Sequence, residues 1–225
     1  PQDLPKDCPV VLYLFSGPRR DNDLEHMMAK RGIRVDCYDL EQSADHDLMD
    51  DTVWDRIVIS IRSGRYLAGI ASPPCSSFSA VRGRGGSYKI RPVRGCSEPD
   101  IYGIPGLTPE EKESVRIGTG CARRALQMAK LMEAAGRPWI IETPKKQQGS
   151  PNLFELPEFL EFRKQSRHEP QDSVHCSFGA SFKKPTWWLS NLDLEFGEGC
   201  KHSIRRWVIP WSGEVHTCAH PPTYW

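Results

Sequence analysis

The sequence lacks a long hydrophobic run, and this absence excludes one class of protein. No stretch of 18 consecutive apolar residues occurs in the 225-residue chain, whereas a membrane-spanning helix needs about 20. The first ten residues, PQDLPKDCPV, have neither the basic start nor the apolar core of a secretory signal peptide. We therefore expect an intracellular protein with no membrane partner, nuclear if eukaryotic and cytoplasmic if bacterial or viral.

The sequence also lacks an excess of charge of one sign. Lysine and arginine together number 30 and the acidic residues 29, which leaves a formal net charge of +1. Overall charge therefore gives no argument for nucleic acid binding, and only local clusters of basic residues can supply one. The eight cysteines are scattered without the close spacing of a disulfide framework, which favours reduced thiols in a protein inside the cell.

Short apolar runs are typical of the buried strands of a parallel sheet, because such strands are covered on both faces. Four of them are VVLYLF (10–15), IRVDCYDL (33–40), YLAGIAS (66–72) and PWIIETP (138–144). Two later runs, VHCSFGA (174–180) and PTWWLSNL (185–192), are also predicted to be strands.

Helical patterns separate these runs. They are LEHMMAKRG (24–32), VWDRIVISIRSG (53–64), a long segment from about 108 to 135, and LFELPEFLEF (153–162). The long segment opens with Thr108 as N-cap, Pro109 at the first helical position and Glu111 at the third, which together are strong helix-start signals. The alternation predicts one α/β domain over residues 1–225, with a doubly wound, mostly parallel sheet.

Polar or reactive residues follow four of the predicted strands, and ligands of such sheets bind outside the carboxyl ends of the strands. These residues are the FSGP turn (15–18), Asp39, the PPC loop (73–75) and Glu142. Gly17 suits a close approach of the backbone to a cofactor, and the carboxylate of Asp39 suits the two hydroxyls of a ribose. The alternative for Asp39 is an ordinary solvated turn residue.

Cys75 lies directly behind two prolines in the stretch ASPPCSSFS (71–79). Two prolines fix two φ angles and remove two backbone donors, so they hold the cysteine on a stiff turn. One interpretation is a presented nucleophile. The other is that the prolines only end the strand and that Cys75 is a small buried hydrophobic residue.

Two further segments have unusual compositions. Residues 81–106 are rich in glycine, proline and basic residues, and we predict a long mobile loop there. Its basic residues are Arg82, Arg84, Lys89, Arg91 and Arg94. The tail from about 197 to 225 contains a weak set of zinc-ligand candidates, for which structural packing is the alternative. These candidates are Cys200, His202, His216 and Cys218.

Taken together, these residues resemble a divergent member of the cytosine-C5 DNA methyltransferases, over roughly residues 10–190. The matching positions, in the family's order, are Phe15 to Pro18, Asp39, Asp47-Leu48, Pro73-Pro74-Cys75 and Glu142-Thr143-Pro144. The resemblance implies a Rossmann-like methyltransferase fold and S-adenosylmethionine as cofactor. The cofactor residues that it implies are Phe15, Ser16, Gly17, Pro18, Asp39, Leu40, Asp47, Leu48 and Pro73.

The resemblance also implies the chemistry. Cys75 would add to C6 of a cytosine turned out of the DNA duplex, and Glu142 would bind the base at N3 and its amine. The basic loop would then close over the DNA. Lys183 and Lys184 occupy the apparent place of the family's arginine motif, and we expect them to neutralise phosphates, although lysine cannot make the bidentate contacts of arginine.

Other functions remain alternatives at this stage. A catalytically silent DNA-binding or accessory module would keep the same fold, and an RNA cytosine-C5 methyltransferase would use similar chemistry. The presence of both Cys75 and Glu142 favours an enzyme. Residues 187–225 are too few for the family's usual target-recognition domain, so we expect a partner or an additional domain to supply sequence specificity.

Overall fold

The computed structural model describes residues 4–79, 91–178 and 184–196, together with the backbone of residues 206–208 and 215–217. It is an α/β structure. The strands in these ranges are β1 (Val10–Leu14), β2 (Arg34–Tyr38), β3 (Ala68–Ala71), β4 (Trp139–Pro144), β5 (Gln171–Val174), β6 (Pro185–Ser190), β7 (Arg206–Val208) and β8 (Val215–Thr217). The α-helices are α1 (Leu24–Ala29), α2 (Asp51–Arg62), α3 (Pro109–Ala134) and α4 (Pro157–Ser166).

Six strands form one mixed sheet in the order β2-β1-β3-β4-β6-β5. The first four strands in this order are parallel to one another. Strand β6 is antiparallel to both β4 and β5. The prediction of a mostly parallel sheet was therefore wrong. The connection between β5 and β6 has ten residues (175–184), which is fewer than the dozen or more that a parallel crossover needs, so these two strands are antiparallel.

The long helix α3 begins where the sequence predicts. The Thr108 hydroxyl accepts a hydrogen bond from the Glu111 backbone N–H at 3.3 Å, and the Glu111 carboxylate accepts one from the Thr108 N–H at 2.9 Å. Pro109 occupies the first position, where a missing N–H costs nothing. This capping box confirms the predicted helix start.

The core lies between the sheet and the helices α2, α3 and α4. Its largest fully buried side chains include Trp54 on α2, Trp139 on β4 and Phe159 on α4. Helix α3 lies so close to β3 that a Cβ at Gly69 would be 2.4 Å from the sulfur of Met128. Strand β3 also pairs with β4, so α3 and β4 together position the segment that leaves β3.

Two local predictions were wrong. The predicted strand VHCSFGA is displaced, because β5 ends at Val174 and a 3-10 turn follows at His175–Phe178. The described part of the predicted mobile loop, residues 91–106, is packed, with Val93 and Ile101 buried and a 3-10 turn at Asp100–Tyr102. Val93 packs with Leu107 and Val115 in a small second core. Hydrophobic residues spaced among glycines and prolines have no period that would reveal such packing.

Among the described residues, no helix is long and apolar enough to cross a membrane. The longest, α3, carries several charged residues along its length.

Candidate active site

The segments that leave β1, β2, β3 and β4 meet at one edge of the sheet. Leu14 is in register with Tyr38 on one side and Ala71 on the other, and Ala71 is in register with Ile141. The next residue on each strand is therefore at the same level. These residues are Phe15, Asp39, Ser72 and Glu142. The predicted convergence of the strand ends is confirmed, except that Glu142 lies within β4 rather than after it.

The turn after β1 is held in a sparsely populated conformation. Phe15 has a φ of +58° and Gly17 a φ of +72°, in a backbone region that residues other than glycine rarely adopt. Asp39 holds this turn, because its Oδ2 accepts a hydrogen bond from the Gly17 N–H at 2.8 Å. Its Oδ1 accepts one from the Glu41 N–H, also at 2.8 Å. Backbone strain of this kind is characteristic of ligand sites.

A cavity of about 520 Å³, which we call the α3 cavity, lies against this turn. Six of the nine predicted cofactor residues line it: Phe15, Gly17, Asp39, Leu40, Asp47 and Leu48. The other three, Ser16, Pro18 and Pro73, do not. Ser16 instead accepts a hydrogen bond from the Gln42 amide at 2.8 Å, and Pro73 is buried.

One wall of the α3 cavity was missed by the sequence prediction. It consists of Glu113, Arg116, Ile117 and Cys121 of helix α3. Their spacing of three and four residues places them on one face of the helix, which is the signal that could have found them. Burial, followed by the charges of Asp47 and Asp39, raises the pKa of Cys121 to about 12. Its thiol therefore stays protonated and adds no nucleophile to this cavity.

A second cavity of about 230 Å³, which we call the thiol cavity, lies on the other side of the PPC loop. Cys75 lines it together with Thr143, Asn152 and Lys184. Cys75 is half-buried, and its carbonyl accepts a hydrogen bond from the Phe78 N–H at 2.9 Å, which starts the 3-10 turn Ser76–Phe78. The cysteine is thus held between the two prolines and this turn, as the sequence predicts for a stiff segment.

The Cys75 thiol is influenced by two opposite charges. Burial raises its pKa, the positive charge of Lys184 lowers it, and the negative charge of Glu142 raises it further. Burial is the largest effect, so the net pKa lies above the usual value. In the free protein, the thiol is therefore mostly protonated at neutral pH.

Both carboxylate oxygens of Glu142 have donors. Oε1 accepts a hydrogen bond from Lys184 Nζ at 2.8 Å, and Oε2 accepts one from the Ser72 hydroxyl at 3.2 Å. The Tyr13 hydroxyl lies 3.2 Å from the same Ser72 oxygen. Because Ser72 has one proton, which it donates to Glu142, Tyr13 is the donor in that pair. The Glu142 carboxylate is therefore held by two direct donors, one of which, Ser72, is itself held by Tyr13.

His175 is a further group at this position that the sequence prediction missed. Its Nε2 lies 3.9 Å from Glu142 Oε1, and its backbone N–H donates to the Lys184 carbonyl at 3.1 Å. Burial, followed by the charge of Lys184, lowers the pKa of His175, so the ring is neutral at neutral pH. No histidine is near PPC in the sequence, and only the fold brings His175 beside Glu142.

Two residues predicted to bind DNA phosphates have other partners. Lys184 pairs with Glu142 because the antiparallel strand β6 brings the start of that strand back beside the end of β4. Arg91 is exposed, but its Nε donates to Glu111 at 2.8 Å and its Nη2 to the Gly106 carbonyl at 2.7 Å.

Arg94, also predicted to bind DNA, is buried, with 2% of its surface exposed. Its guanidinium donates to the carbonyls of Ile101 and Val115, both at 2.7 Å, and lies 3.9 Å from the centre of the Phe78 ring. Burial lowers its pKa to about 10. The prediction was therefore wrong for Arg94, which instead joins α3 to the turn that follows Cys75.

The remaining predicted residues cannot be placed. Arg82, Arg84, Lys89, Lys183, Cys200, His202 and Cys218 lie outside the described residues, and only the backbone of His216 is described. Within the described ranges, no group of three or more His, Cys, Asp or Glu side chains is arranged to hold a metal ion. The zinc hypothesis for the tail therefore stays a prediction.

The comparisons with known proteins give no further lead. No family model and no curated protein matches the chain. The function is therefore inferred from the two cavities and from the residues between them. Ser72 and Pro74 line the α3 cavity, whereas Cys75, the next residue, lines the thiol cavity. The PPC loop is the wall that separates them.

Proposed function

We propose that this protein transfers a methyl group from S-adenosylmethionine to C5 of cytosine in DNA, through a covalent adduct with Cys75. The observation that carries the proposal is the wall formed by the PPC loop. Ser72 and Pro74 face one cavity and Cys75 faces the other. Molecules bound in the two cavities would lie next to the same short segment, and proximity of this kind favours a reaction between them.

The strand order supports a cofactor site in the α3 cavity. The order β2-β1-β3-β4 reverses between β1 and β3, and ligands of open α/β sheets bind at this switch point. The cavity lies there, between the turn after β1 and the segment after β3. We take these four parallel strands to be the Rossmann-like part of a methyltransferase fold, with β6 and β5 as its antiparallel edge.

The composition of the α3 cavity suits the proposed cofactor. Its volume of about 520 Å³ falls within the range of about 300–1,000 Å³ that is usual for small-molecule sites. Phe15, Leu40 and Ile117 offer apolar surface for a nucleobase. Asp39 and Asp47 offer carboxylate oxygens to hydroxyl groups, and their negative charge favours a cationic sulfonium. When bound, S-adenosylmethionine supplies the electrophilic methyl group.

The thiol cavity suits a single base rather than a duplex. At about 230 Å³ it holds one flat ring, so the target base must leave the stack, at a cost of a few kcal/mol. Cytosine C5 is a poor nucleophile until its ring gains electron density. The Cys75 thiolate can supply this by forming a C–S bond at C6, which moves an electron pair toward C5.

Glu142 has two tasks in this scheme. One of its oxygens accepts a hydrogen bond from the exocyclic amine of the base. The carboxyl group also passes a proton taken up from solvent to N3, which neutralises the charge that the thiolate pushes into the ring. C5 would then take the methyl group, and the S–CH3 electron pair would stay on the sulfur of the demethylated product. The C5 proton would pass to solvent water and the N3 proton back to Glu142, while the electron pair of the C5–H bond restores the C5–C6 double bond and expels Cys75 as a thiolate. Glu142 lines neither cavity, but its two oxygens are held by Ser72, which lines the α3 cavity, and by Lys184, which lines the thiol cavity.

The test is to incubate the protein with S-adenosylmethionine and either DNA or RNA, and to measure 5-methylcytosine by nucleoside mass spectrometry. We expect product in DNA, and loss of product in Cys75→Ser and Glu142→Gln. Calorimetry with the cofactor and its demethylated product checks the α3 cavity, where Asp39→Ala should weaken binding. Product in RNA alone would favour the RNA enzyme. Cofactor binding or DNA binding without any product would favour the silent module.

A further inference from the structure

We propose that Lys184 is a positioning residue, whose ammonium group fixes the Glu142 carboxylate and places a positive charge beside the Cys75 thiol. The role of Lys184 in catalysis rests on the function proposed above. Its electrostatic effect does not, because the state of the thiol can be measured without any methyl transfer.

The geometry gives Lys184 contact with one reacting group and proximity to the other. Its Nζ lies 2.8 Å from Glu142 Oε1, and its side chain lines the thiol cavity together with Cys75. The lysine side chain is 34% exposed and that of Glu142 is 16% exposed, so solvent screens this ion pair only in part. Lys184 directly precedes β6, and from this position its ammonium group acts on both Glu142 and Cys75.

The other cations of the thiol cavity are already engaged. Lys145 pairs with Asp172 and Lys146 pairs with Glu155. His175, which lies beside Glu142, is neutral at neutral pH because burial and Lys184 lower its pKa. Among the described residues that line the cavity or contact Glu142, Lys184 is thus the cation whose charge is directed at Cys75 and Glu142.

Opposite charges beside Cys75 give Lys184 a measurable role. Glu142 disfavours the thiolate and Lys184 favours it, so the lysine offsets the effect of the carboxylate that the reaction needs nearby. Without Lys184, the thiol would face a negative charge with no compensation. The thiolate would then be scarcer at neutral pH, and the Glu142 carboxylate would lose one of its two donors.

The test follows alkylation of Cys75 by iodoacetamide from neutral to alkaline pH, with peptide mass spectrometry to separate Cys75 from the other cysteines. The proteins are the wild type, Lys184→Met, Lys184→Arg and, as a matched control, Lys164→Met. Lys164 is an exposed lysine of α4 that lines neither cavity. Lys184→Met should slow alkylation at neutral pH on the order of tenfold, because the Cys75 thiolate loses its nearby positive charge.

The control variants separate charge from fold. Lys184→Arg keeps the positive charge and should alkylate close to the wild-type rate, as should Lys164→Met. If Lys184→Met does not fold by circular dichroism, Lys184→Gln gives the same comparison and keeps a donor for Glu142. An unchanged alkylation profile in a folded, neutral Lys184 variant would overturn the proposal, whether or not the wild type methylates DNA. In an active enzyme, the same variant should lower kcat and leave the KM for S-adenosylmethionine unchanged.

Discussion

The Ser72 hydroxyl donates a hydrogen bond to Glu142 Oε2 at 3.2 Å, and Ser72 also lines the α3 cavity. One side chain therefore contacts the carboxylate of one site and forms part of the surface of the other. The two residues come from adjacent parallel strands, since β3 pairs with β4. This relationship makes the orientation of Glu142 depend on a residue at the proposed cofactor site.

Replacing Ser72 by alanine should slow methyl transfer. A hydrogen bond to a charged group contributes about 1.5–3 kcal/mol, so we expect a loss of at least about tenfold in the single-turnover rate. Tyr13→Phe is the matched comparison, because it removes the outer hydroxyl and leaves the bond from Ser72 to Glu142 intact. It should have a smaller effect. Equal rates for wild type and Ser72→Ala would show that this bond does not position Glu142.

Replacing Glu142 by glutamine should change thiol reactivity and catalysis in opposite directions. Glu142 raises the pKa of Cys75, so removing its charge lowers that pKa and increases the thiolate fraction at neutral pH. Alkylation of Cys75 should therefore speed up while methyl transfer is lost. Because the pKa of Cys75 is raised in the wild type, alkylation of Cys75 in the wild-type protein should become faster as the pH rises above neutrality. Slower alkylation in Glu142→Gln would contradict the assigned charges.

Arg94 should matter for stability rather than for DNA binding. Arg94→Lys keeps the charge but cannot reach the carbonyls of Ile101 and Val115 together with the Ser77 and Thr119 hydroxyls. Unsatisfied buried polar groups cost about 1–3 kcal/mol each, so we expect about 3 kcal/mol less free energy of unfolding in urea. Arg91→Lys, at an exposed ion pair that solvent screens, should leave the free energy of unfolding nearly unchanged. Similar losses for both variants would contradict this assignment.

Two glycines of α3 form a matched pair. A Cβ at Gly118 would lie 2.4 Å from Ser77 Oγ, in the turn after Cys75. A Cβ at Gly120 would lie 2.3 Å from Cε of Met49, at the flexible end of that side chain. Gly118→Ala should therefore destabilise the protein by about 1–3 kcal/mol. Gly120→Ala should be neutral or stabilise by up to about 1 kcal/mol, as thermal unfolding can show. Equal stability of the two variants would mean that α3 does not constrain that turn.

The parts of the fold that depend on local pattern could be predicted from the sequence. The apolar runs identified β1 to β4, and the Thr108 capping box identified the start of α3. The antiparallel placement of β5 and β6 could not be predicted, because β5, with the sequence QDSV, is too short and polar to carry a periodic signal.

The same limit applies to the candidate site. Cys75, Glu142 and Asp39 could be named because each lies at or near a predicted strand end. Lys184 and His175 reach Glu142 only through the β5–β6 hairpin, which the sequence did not reveal. Arg94 lies in a basic, glycine-rich segment, whose composition predicts DNA binding. Its burial depends on contacts with Phe78 and Val115, which are too distant in sequence for a local pattern to predict.

The central claim is that Cys75 forms a covalent bond to cytosine C6, and a trapping experiment tests it most directly. A duplex carrying 5-fluorocytosine at a site that the protein methylates is incubated with the protein and S-adenosylmethionine, and the mixture is then denatured. Because fluorine at C5 cannot leave as a proton does, the adduct should persist. We expect a denaturation-resistant complex with wild-type protein, mapped to Cys75, and none with Cys75→Ser, since a serine hydroxyl is too weak a nucleophile. No complex with wild-type protein at a verified site, or an equal amount with Cys75→Ser, would contradict the account.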